Sequence, residues 1–385
     1  MSSEVTSGGF VPPIYPYFRL DALKQRAAEV PGGIVDLSVG TPNDPVPDIV
    51  VEALAAAGPG GAGYPRAVGG PALREAAAGW MERSFGVTLD PAQVVSLIGT
   101  KEFVASLPHV LRLRDPSRDT VLYPAVSYPT YAMGAQLGGC RAAPVPLRDD
   151  WHLDLSAVSE EDASRALLLW LNEPGNPTGS VADLAGYAAA VEWARARGII
   201  VASDECYVEF TFDPDGRPQT GASVLAAGVG MDGVLAVHSL SKRSNMAGYR
   251  CGFIAGDGDI VQYVGEVRTH AGTMVPGPVQ AAAAVAWRDD AHVDEQRERY
   301  AERRALFRDA LSSVGLVDEG GPGSFYLWAR GTDDADGWAT VARLATTGTL
   351  VSAGDLYGPA GAPYVRIALV QPFDRLELAL KRLAG

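Results

Sequence analysis

Cysteine is scarce in this sequence of 385 residues. The three cysteines, Cys140, Cys206 and Cys251, are odd in number and far apart. Neither a disulfide framework nor a cysteine-ligated metal site is therefore expected. The five histidines share no ligand spacing either, so the sequence predicts no metal site.

The sequence also has fewer basic than acidic residues and no long apolar run. The 32 basic residues are outnumbered by 46 acidic ones, and the net charge of −14 argues against nucleic acid as a partner. The longest strand-like apolar run, residues 166–171, is far shorter than the ~20 residues that cross a bilayer. Residues 1–10 lack the basic and apolar parts of a signal peptide. We therefore expect a soluble, cytoplasmic protein without a membrane partner.

Lysine makes up only four of the 32 basic residues: Lys24, Lys101, Lys242 and Lys381. Any chemistry that needs a lysine amine consequently has few candidates.

The chain does have enough apolar residues for a large core, at 47% hydrophobic and 20% charged. Apolar strand-like segments alternate with helix-like ones, which predicts an α/β fold with a mostly parallel central sheet and helices on both faces. The strand-like segments are residues 34–39, 94–98, 120–123, 166–171, 199–202, 234–237 and 252–255.

The pattern changes near residue 289, where a long charged helix over 289–311 is predicted and most simply presents a solvated face. Two later strand-like segments, 324–329 and 365–369, indicate a smaller α+β domain. We predict a large domain over residues 46–290 and a small domain formed by residues 1–45 and 291–385.

Polar residues directly follow four of the predicted strands. In an open α/β sheet, ligands bind beyond the carboxyl ends of the strands. The four segments are 99–102 (GTKE), 172–179 (NEPGNPTG), 203–207 (SDECY) and 238–243 (HSLSKR). They bring an amide, a carboxylate, a phenol and a lysine towards one edge of the sheet. No GxGxxG motif follows a strand, so a dinucleotide-binding fold has no support.

Three of the segments carry a family resemblance. NEPGNPTG, SDECY and SLSKRSNMAGYRCGF resemble the signature segments of class I/II pyridoxal-phosphate aminotransferases, which have the aspartate aminotransferase fold (fold type I). The resemblance runs from about residue 34 to the C-terminus. The segments DLSVGTPNDPVP, GYPRAVGGPALREA, IGTKE, YPTY and AGTMVPGPVQAA resemble in particular the actinobacterial N-succinyldiaminopimelate aminotransferases.

The resemblance implies that pyridoxal 5′-phosphate is the cofactor and that three residues are catalytic. Lys242 would attach the cofactor covalently and move the substrate proton, which requires a pKa lowered by desolvation and cationic neighbours. Asp204 would pair with the pyridine nitrogen, or it could be only a helix cap. Tyr207 and Asn176 would donate to the 3-oxygen of the ring, although Asn176 could instead only shape its turn. Lys101 is a rival for Lys242, but it opens a helix.

The resemblance assigns further residues to the cofactor. Arg250 would bind the phosphate through parallel charge-assisted bonds. The backbone amides of Thr100 and Lys101, at a helix N-terminus, and the hydroxyls of Ser239 and Ser241 are also assigned to the phosphate. Gly99 is assigned to the cofactor as well. Tyr128 would stack on the pyridine ring, or could only pack in the core. Tyr64 would reach the phosphate from the neighbouring subunit, which implies a homodimer; it could also be an ordinary core or loop tyrosine.

The substrate-binding residues implied are Arg366, Asn176 and Gly40. Arg366 lies inside the strand-like YVRIAL segment and resembles the clamp for the substrate α-carboxylate. A solvent-facing strand arginine is the alternative. Gly40 resembles the glycine whose backbone approaches the substrate, or it is only a turn glycine.

The preferred interpretation is a transaminase that takes nitrogen from glutamate and aminates N-succinyl-2-amino-6-oxopimelate in the diaminopimelate branch of lysine biosynthesis. Glu173 departs from those relatives, which more often carry serine there, and this leaves the substrate open. The alternatives are a general aspartate- or aromatic-type aminotransferase and a C–S (β) lyase on the same scaffold. A non-catalytic regulator and a plain binding module have less support from these residues.

Two features stay open in the sequence. The group that binds the distal substrate carboxylates has no motif, and Arg19, Arg66 and Arg243 are candidates by position only. The N-terminal residues 1–19 have no predicted place, although Tyr15, Tyr17 and Phe18 would suit a cover over the substrate entrance.

Overall fold

The computed structural model describes residues 10–58, 62–333 and 336–383. Its helices are α1 (Asp21–Ala28), α2 (Asp48–Ala57), α3 (Pro71–Phe85), α4 (Thr100–Arg114), α5 (Thr130–Leu137), α6 (Glu160–Arg165), α7 (Leu184–Arg195), α8 (Leu240–Arg243), α9 (Gly258–Ala271), α10 (Gly277–Arg288), α11 (Ala291–Leu311), α12 (Gly337–Ala345) and α13 (Phe373–Leu383). Its strands are β1 (Val35–Asp36), β2 (Val94–Leu97), β3 (Thr120–Pro124), β4 (Arg141–Val145), β5 (Ala166–Asn172), β6 (Ile200–Asp204), β7 (Thr211–Phe212), β8 (Pro218–Gln219), β9 (Val234–Ser239), β10 (Gly252–Gly256), β11 (Leu316–Asp318), β12 (Tyr326–Gly331), β13 (Thr349–Leu350), β14 (Ser352–Ala353) and β15 (Tyr364–Ala368).

The central sheet has seven strands in the order β2-β10-β9-β6-β5-β3-β4. The pairs from β9 to β4 are parallel, and β10 is antiparallel to both of its neighbours. The predicted α/β fold with a mostly parallel sheet is therefore confirmed. The carboxyl ends of β5, β6 and β9 meet at one edge, because these strands are neighbours and run in the same direction.

Both faces of this sheet are buried. In β5, Leu168 and Trp170 pack into one apolar cluster, whereas Leu169 and Leu171 pack into the other. Alternate residues of a strand point to opposite faces, so a strand covered on both sides reads as a continuous apolar run. This is why residues 166–171 were recognisable as a strand.

A second sheet, in the order β11-β12-β15-β14, is wholly antiparallel. It shares a separate apolar cluster with residues of α1, α12 and α13. The short parallel pair of β1 with β13 joins the N-terminal region to the C-terminal part of the chain. This arrangement agrees with a smaller α+β unit, and the domain boundaries at 45/46 and 290/291 stay a prediction.

Two expectations were wrong in detail. The strand predicted over 34–39 is only Val35–Asp36, because the Asp36 carboxylate accepts bonds from the backbone and hydroxyl of Ser38 and turns the chain. The charged helix α11 is not simply a solvated face: Arg303 and Arg304 are 1% and 5% exposed. Arg303 forms a bidentate pair with Asp44 at 2.7 and 2.6 Å, which a helical wheel of α11 alone does not reveal.

No helix among the described residues is long and apolar enough to cross a membrane. Within residues 10–58, 62–333 and 336–383, no group of three or more potential ligands is arranged to hold a metal ion.

Candidate active site

A cavity of about 720 Å³ lies at the carboxyl edge of the central sheet. Asn172, Asp204 and Ser239 reach it from the ends of β5, β6 and β9. The cavity brings together all the predicted site residues except Gly99 and Tyr64. These lining residues are Gly40, Thr100, Lys101, Tyr128, Asn176, Asp204, Tyr207, Ser239, Ser241, Lys242, Arg250 and Arg366.

Lys242 lies in the short helix α8, directly after β9. Its Nζ donates to the carbonyl oxygen of Gly40 and lies 5.8 Å from the centre of the Phe325 ring. Burial lowers the pKa of Lys242 to about 8, and the nearby Arg366 and Arg250 act in the same direction. An amine with this pKa is partly neutral near pH 7 and can act as a nucleophile or a base.

Asp204 is the last residue of β6 and is 6% exposed. One carboxylate oxygen accepts the Tyr131 hydroxyl at 2.8 Å, and the other accepts the Cys206 backbone N–H at 3.3 Å. Burial raises the pKa of Asp204. A buried carboxylate that lines a cavity suits a cationic N–H partner, which would offset its desolvation.

Arg366 is 2% exposed in β15, so the alternative of a solvent-facing arginine is wrong. Its Nη1 donates to Oδ1 of Asn176 at 2.9 Å, and its Nη2 donates to the carbonyl of Ser38 at 2.7 Å. The Tyr326 ring lies 4.1 Å from the guanidinium carbon. Its Nε is buried and has no hydrogen-bond partner among the described residues. The guanidinium is thus held rigidly and lines the cavity.

Tyr207 exchanges a hydrogen bond with Tyr326, their hydroxyl oxygens being 2.9 Å apart. Tyr128 lines the cavity and packs edge-on against Tyr131, with ring centres 6.1 Å apart. At Gly40 a Cβ atom would collide with the Tyr326 hydroxyl. Gly40 is therefore more than a turn glycine, because its place beside Tyr326 and Lys242 requires the absence of a side chain.

The part of the cavity around Arg250 is suited to an anion. Arg250 adopts a left-handed backbone with φ of 56° and donates from Nη1 to the Ala247 carbonyl at 2.9 Å. Gly99, with φ of 68°, lies against this guanidinium, where a Cβ would collide with it. Thr100 begins the 15-residue helix α4, whose free N–H groups favour a negative charge. Ser239 adds a hydroxyl that accepts from the Ser241 N–H at 3.1 Å.

Tyr64 lies outside the cavity and is 98% exposed in the single chain. A core position for this tyrosine is therefore excluded. Its role towards the phosphate of a neighbouring subunit stays a prediction, since it needs a second chain.

The N-terminal tyrosines Tyr15 and Tyr17 line the cavity. The Tyr15 hydroxyl accepts from Lys101 Nζ at 3.2 Å, and the Tyr17 hydroxyl lies 2.8 Å from that of Tyr357. Aromatic residues near a terminus give no positional signal in the sequence, so their contribution was only a suggestion. Tyr131 and Tyr326 were missed entirely, because each acts through a partner distant in the chain.

The three arginines considered for distal carboxylates are elsewhere. Arg19 pairs with Asp355 at 2.9 Å, and Arg243 is buried between Glu209 and Asp290 at 3.1 and 2.7 Å. Neither they nor Arg66 line the cavity. Lys101 does, and it forms no ion pair with the described residues.

Comparison with known proteins identifies the family of proteins in which this set of cavity residues occurs. The sequence model of "Aminotransferase class I and II" matches residues 33–383. The chain belongs to the class I and II aminotransferases. This aminotransferase has the aspartate aminotransferase fold and depends on pyridoxal phosphate, as the family does.

Relatives of the aminotransferase cover nearly its whole length. The 4-dedimethylamino-4-oxo-anhydrotetracycline transaminase of Streptomyces rimosus is 44% identical over 96% of this chain and 99% of the relative. A probable aminotransferase of Mycobacterium tuberculosis is 46% identical over 96% and 85%. The solved structure of a probable N-succinyldiaminopimelate aminotransferase from Thermus thermophilus has a TM-score of 0.86 at 32% identity, covering 96% of this chain and 99% of that one.

The aminotransferase's own residues fit the cofactor. The cradle of Gly99, Thr100 and Arg250 would hold the phosphate, Asp204 the pyridine nitrogen, and Tyr207 and Asn176 the ring oxygen. When bound, pyridoxal phosphate supplies a carbonyl that takes up the amino group and a ring that withdraws electrons from the substrate Cα. The amine of Lys242, partly neutral at its lowered pKa, would be the group for covalent attachment.

Proposed function

We propose that this protein transfers an amino group between glutamate and N-succinyl-2-amino-6-oxopimelate, and so acts in lysine and diaminopimelate biosynthesis. The proposal rests on a second cationic side chain, besides Arg366, that the cavity offers to the substrate. Lys242 and Arg250 are assigned to the cofactor and Arg366 to the α-carboxylate. Only the backbone N–H of Lys101 is assigned to the phosphate, which leaves its side-chain amine, beside Tyr15, for the substrate. Glutamate and the succinylated acceptor each bear a carboxylate beyond the one at Cα, and Lys101 would receive it. The likeness to the structure of a probable N-succinyldiaminopimelate aminotransferase from Thermus thermophilus supports the proposed substrate.

The chain's own groups would perform the remaining work. Arg366 and Asn176 bind the α-carboxylate and fix the direction of the Cα–H bond. Lys242 accepts the proton that leaves Cα of the donor, and in the second half-reaction the same amine returns a proton to Cα of the product. Tyr15 and Tyr17 exclude water from this space.

The active protein would be a homodimer. Tyr64 is almost fully exposed in one chain although it is large and aromatic. A partner chain that covers this tyrosine would bury it and bring its hydroxyl to a phosphate. Size-exclusion chromatography with light scattering tests this, since a monomer that is fully active would contradict it.

A second candidate is an aminotransferase for bulky aromatic oxo compounds. Two aromatic residues of the cavity lining that are not assigned to the cofactor, Tyr15 and Tyr17, favour it. So does the 44% identity to a transaminase named for an anhydrotetracycline.

A substrate panel separates these functions. With glutamate as donor, N-succinyl-2-amino-6-oxopimelate, oxaloacetate and phenylpyruvate would be compared by kcat/KM, and Lys101→Met would be run beside the wild type. We expect the succinylated acceptor to be preferred. Lys101→Met should lower kcat/KM for this acceptor and for oxaloacetate, which both bear a further carboxylate, about tenfold relative to phenylpyruvate, the effect of one charge-assisted bond. Preference for phenylpyruvate, unchanged in Lys101→Met, would favour the aromatic candidate. Pyruvate and ammonia formed from cystathionine without any 2-oxo acid would show β-elimination instead.

A further inference from the structure

A second cavity, of about 790 Å³, lies on the other side of the loop that follows β5. Among their lining residues the two cavities share only Asn172 and Asn176. Glu173 lines the second cavity and not the first. Glu173, whose carboxylate put the identity of the substrate in doubt in the sequence analysis, therefore faces away from the cavity where the substrate would bind.

Glu173 contacts a histidine across this second cavity. Its Oε1 lies 3.1 Å from Nδ1 of His152, and the two side chains are 12% and 27% exposed. Oε2 of Glu173 is buried, and the Ser180 side chain and the Ala182 backbone lie on this carboxylate. The partly exposed imidazole gives this pair its route to solvent.

His152 follows a residue with an unusual backbone. Trp151 has φ of 65°, a left-handed conformation that bulky residues adopt only where surrounding contacts impose it. Its indole N–H donates to the Glu319 carbonyl at 2.7 Å, and its ring packs edge-on against Tyr364 with centres 5.2 Å apart. Two consecutive side chains thus contact different parts of the molecule: Trp151 contacts the region of the small sheet, and His152 contacts the loop that follows β5.

The loop leads directly from Glu173 to the carboxylate clamp. The Glu173 carbonyl accepts from the Tyr187 hydroxyl at 3.3 Å, and the Asn176 N–H donates to the Asn172 side chain at 2.9 Å. Oδ1 of Asn176 then accepts from Arg366 at 2.9 Å. A shift of Glu173 would therefore change the position of Asn176 relative to Arg366.

We propose that His152 and Glu173 are positioning residues of the active site, whose pairing holds Asn176 against Arg366 and makes carboxylate binding depend on the proton of His152. The proposal rests on the function assigned above to Arg366 and Asn176. Trp151, the residue before His152, fixes this part of the chain against the small sheet.

The charges around the pair set the direction of the effect. The hydrogen bond to Glu173 raises the pKa of His152, and burial raises the pKa of Glu173. His152 is charged below its raised pKa, and Glu173 is ionised only above its own raised pKa. The ionic part of the pairing therefore exists between these two pKa values and is lost as pH rises through that of His152. The other charged or titratable groups that face the pair or line the same cavity are Arg148, Asp150, Asp154, Asp183 and Tyr187.

The first experiment measures the proton itself. The imidazole of His152 would be titrated by NMR in the wild type and in Glu173→Gln, with His109, an exposed histidine of α4, as the internal reference. We expect the pKa of His152 to fall in Glu173→Gln, whereas the His109 resonances should be the same in both proteins. An unchanged pKa of His152 would overturn the pairing.

The second experiment measures how the proton of His152 affects carboxylate binding in the active site. The Kd of succinate, a non-reacting carboxylate, would be followed through the cofactor absorption between about pH 6 and 9. We expect succinate to bind roughly fivefold more weakly at the high end of this pH range than at the low end in the wild type, beyond any change shared with His152→Asn. This is less than the effect of a direct charge-assisted bond, because His152 acts on succinate only through the loop. His152→Asn keeps a donor near the Nδ1 position but cannot titrate, so its Kd should lack this component; His109→Asn should behave as the wild type.

Identical pH profiles in wild type and His152→Asn would overturn the proposal. Measurements on Arg366→Lys in the same assay distinguish a failure of this proposal from a failure of the proposed function. If Arg366→Lys weakens succinate binding while His152→Asn changes nothing, only the positioning role fails. If no cofactor is bound, or Arg366→Lys binds succinate normally, the assigned function of the site fails as well.

Discussion

Arg366 and Asn176 form a buried pair in which a guanidinium N–H donates to the amide oxygen at 2.9 Å, although 190 residues separate them in the chain. One residue comes from the small antiparallel sheet and the other from the loop after the central strand β5. The contact therefore places a cation from one sheet at the ligand-binding edge of the other. The most direct predictions concern how this junction recognises a carboxylate.

Replacing Arg366 with lysine should weaken substrate binding. Lysine keeps the charge but loses the planar fork that contacts Asn176 and Ser38 and presents parallel donors to a carboxylate. We expect a loss of about 2 kcal/mol, or roughly thirtyfold in kcat/KM, for glutamate. Steady-state kinetics measure this, and the cofactor absorption should be retained. A lysine variant with wild-type kcat/KM would exclude Arg366 as the carboxylate clamp.

Gly99→Ala should weaken cofactor binding. A Cβ at this position meets the Arg250 guanidinium, and φ of 68° is unfavourable for alanine. Gly86→Ala is a matched control, because Gly86 has φ of 67° at the end of α3 with open space around it. Both variants should lose about 1 kcal/mol of stability from backbone strain, but only Gly99→Ala should show a higher Kd for pyridoxal phosphate. Equal affinities in the two variants would argue against an anion site at Arg250.

The buried pair of Arg303 and Asp44 should be important for stability. Arg303 is 2% and Asp44 9% exposed in their side chains, and the pair ties α11 to the segment before α2. Arg303→Met leaves the carboxylate buried without its cation, which should lower the free energy of unfolding by about 3 kcal/mol. The double variant Arg303→Met/Asp44→Asn should recover part of this loss in a denaturant titration. Full additivity of the two single changes would contradict a direct interaction.

Attachment of the cofactor should depend on pH through Lys242. Burial lowers the pKa of its amine to about 8, so the neutral, nucleophilic form becomes dominant above about pH 8 instead of above its usual 10.5. The rate at which pyridoxal phosphate joins the cofactor-free protein should therefore rise towards pH 8 and level off above it. Stopped-flow absorbance measures this. A rate that continues to rise tenfold per pH unit up to pH 10 would show an unperturbed lysine.

The sequence predicted those features that have a local pattern. The buried strand β5 reads as an apolar run because both sheet faces are covered, and the polar residues after it lie at the cavity because parallel strands end at one edge. Tyr131 and Tyr326 were not predicted, since their hydroxyls contact Asp204 and Tyr207 across 73 and 119 residues. The burial of Arg303 was not predicted either, since it depends on Asp44, 259 residues away.

Lys242 is the residue on which the whole account depends, and chemical fixation tests it most directly. Borohydride reduction of the yellow protein, followed by digestion and mass spectrometry, should place the cofactor on the peptide that contains Lys242 and bleach the visible band. Lys242→Ala should carry no fixed cofactor, whereas Lys381→Ala, a change in the C-terminal helix α13, should be labelled as the wild type is. A cofactor fixed on Lys101 instead, or a protein that takes up none, would contradict the account.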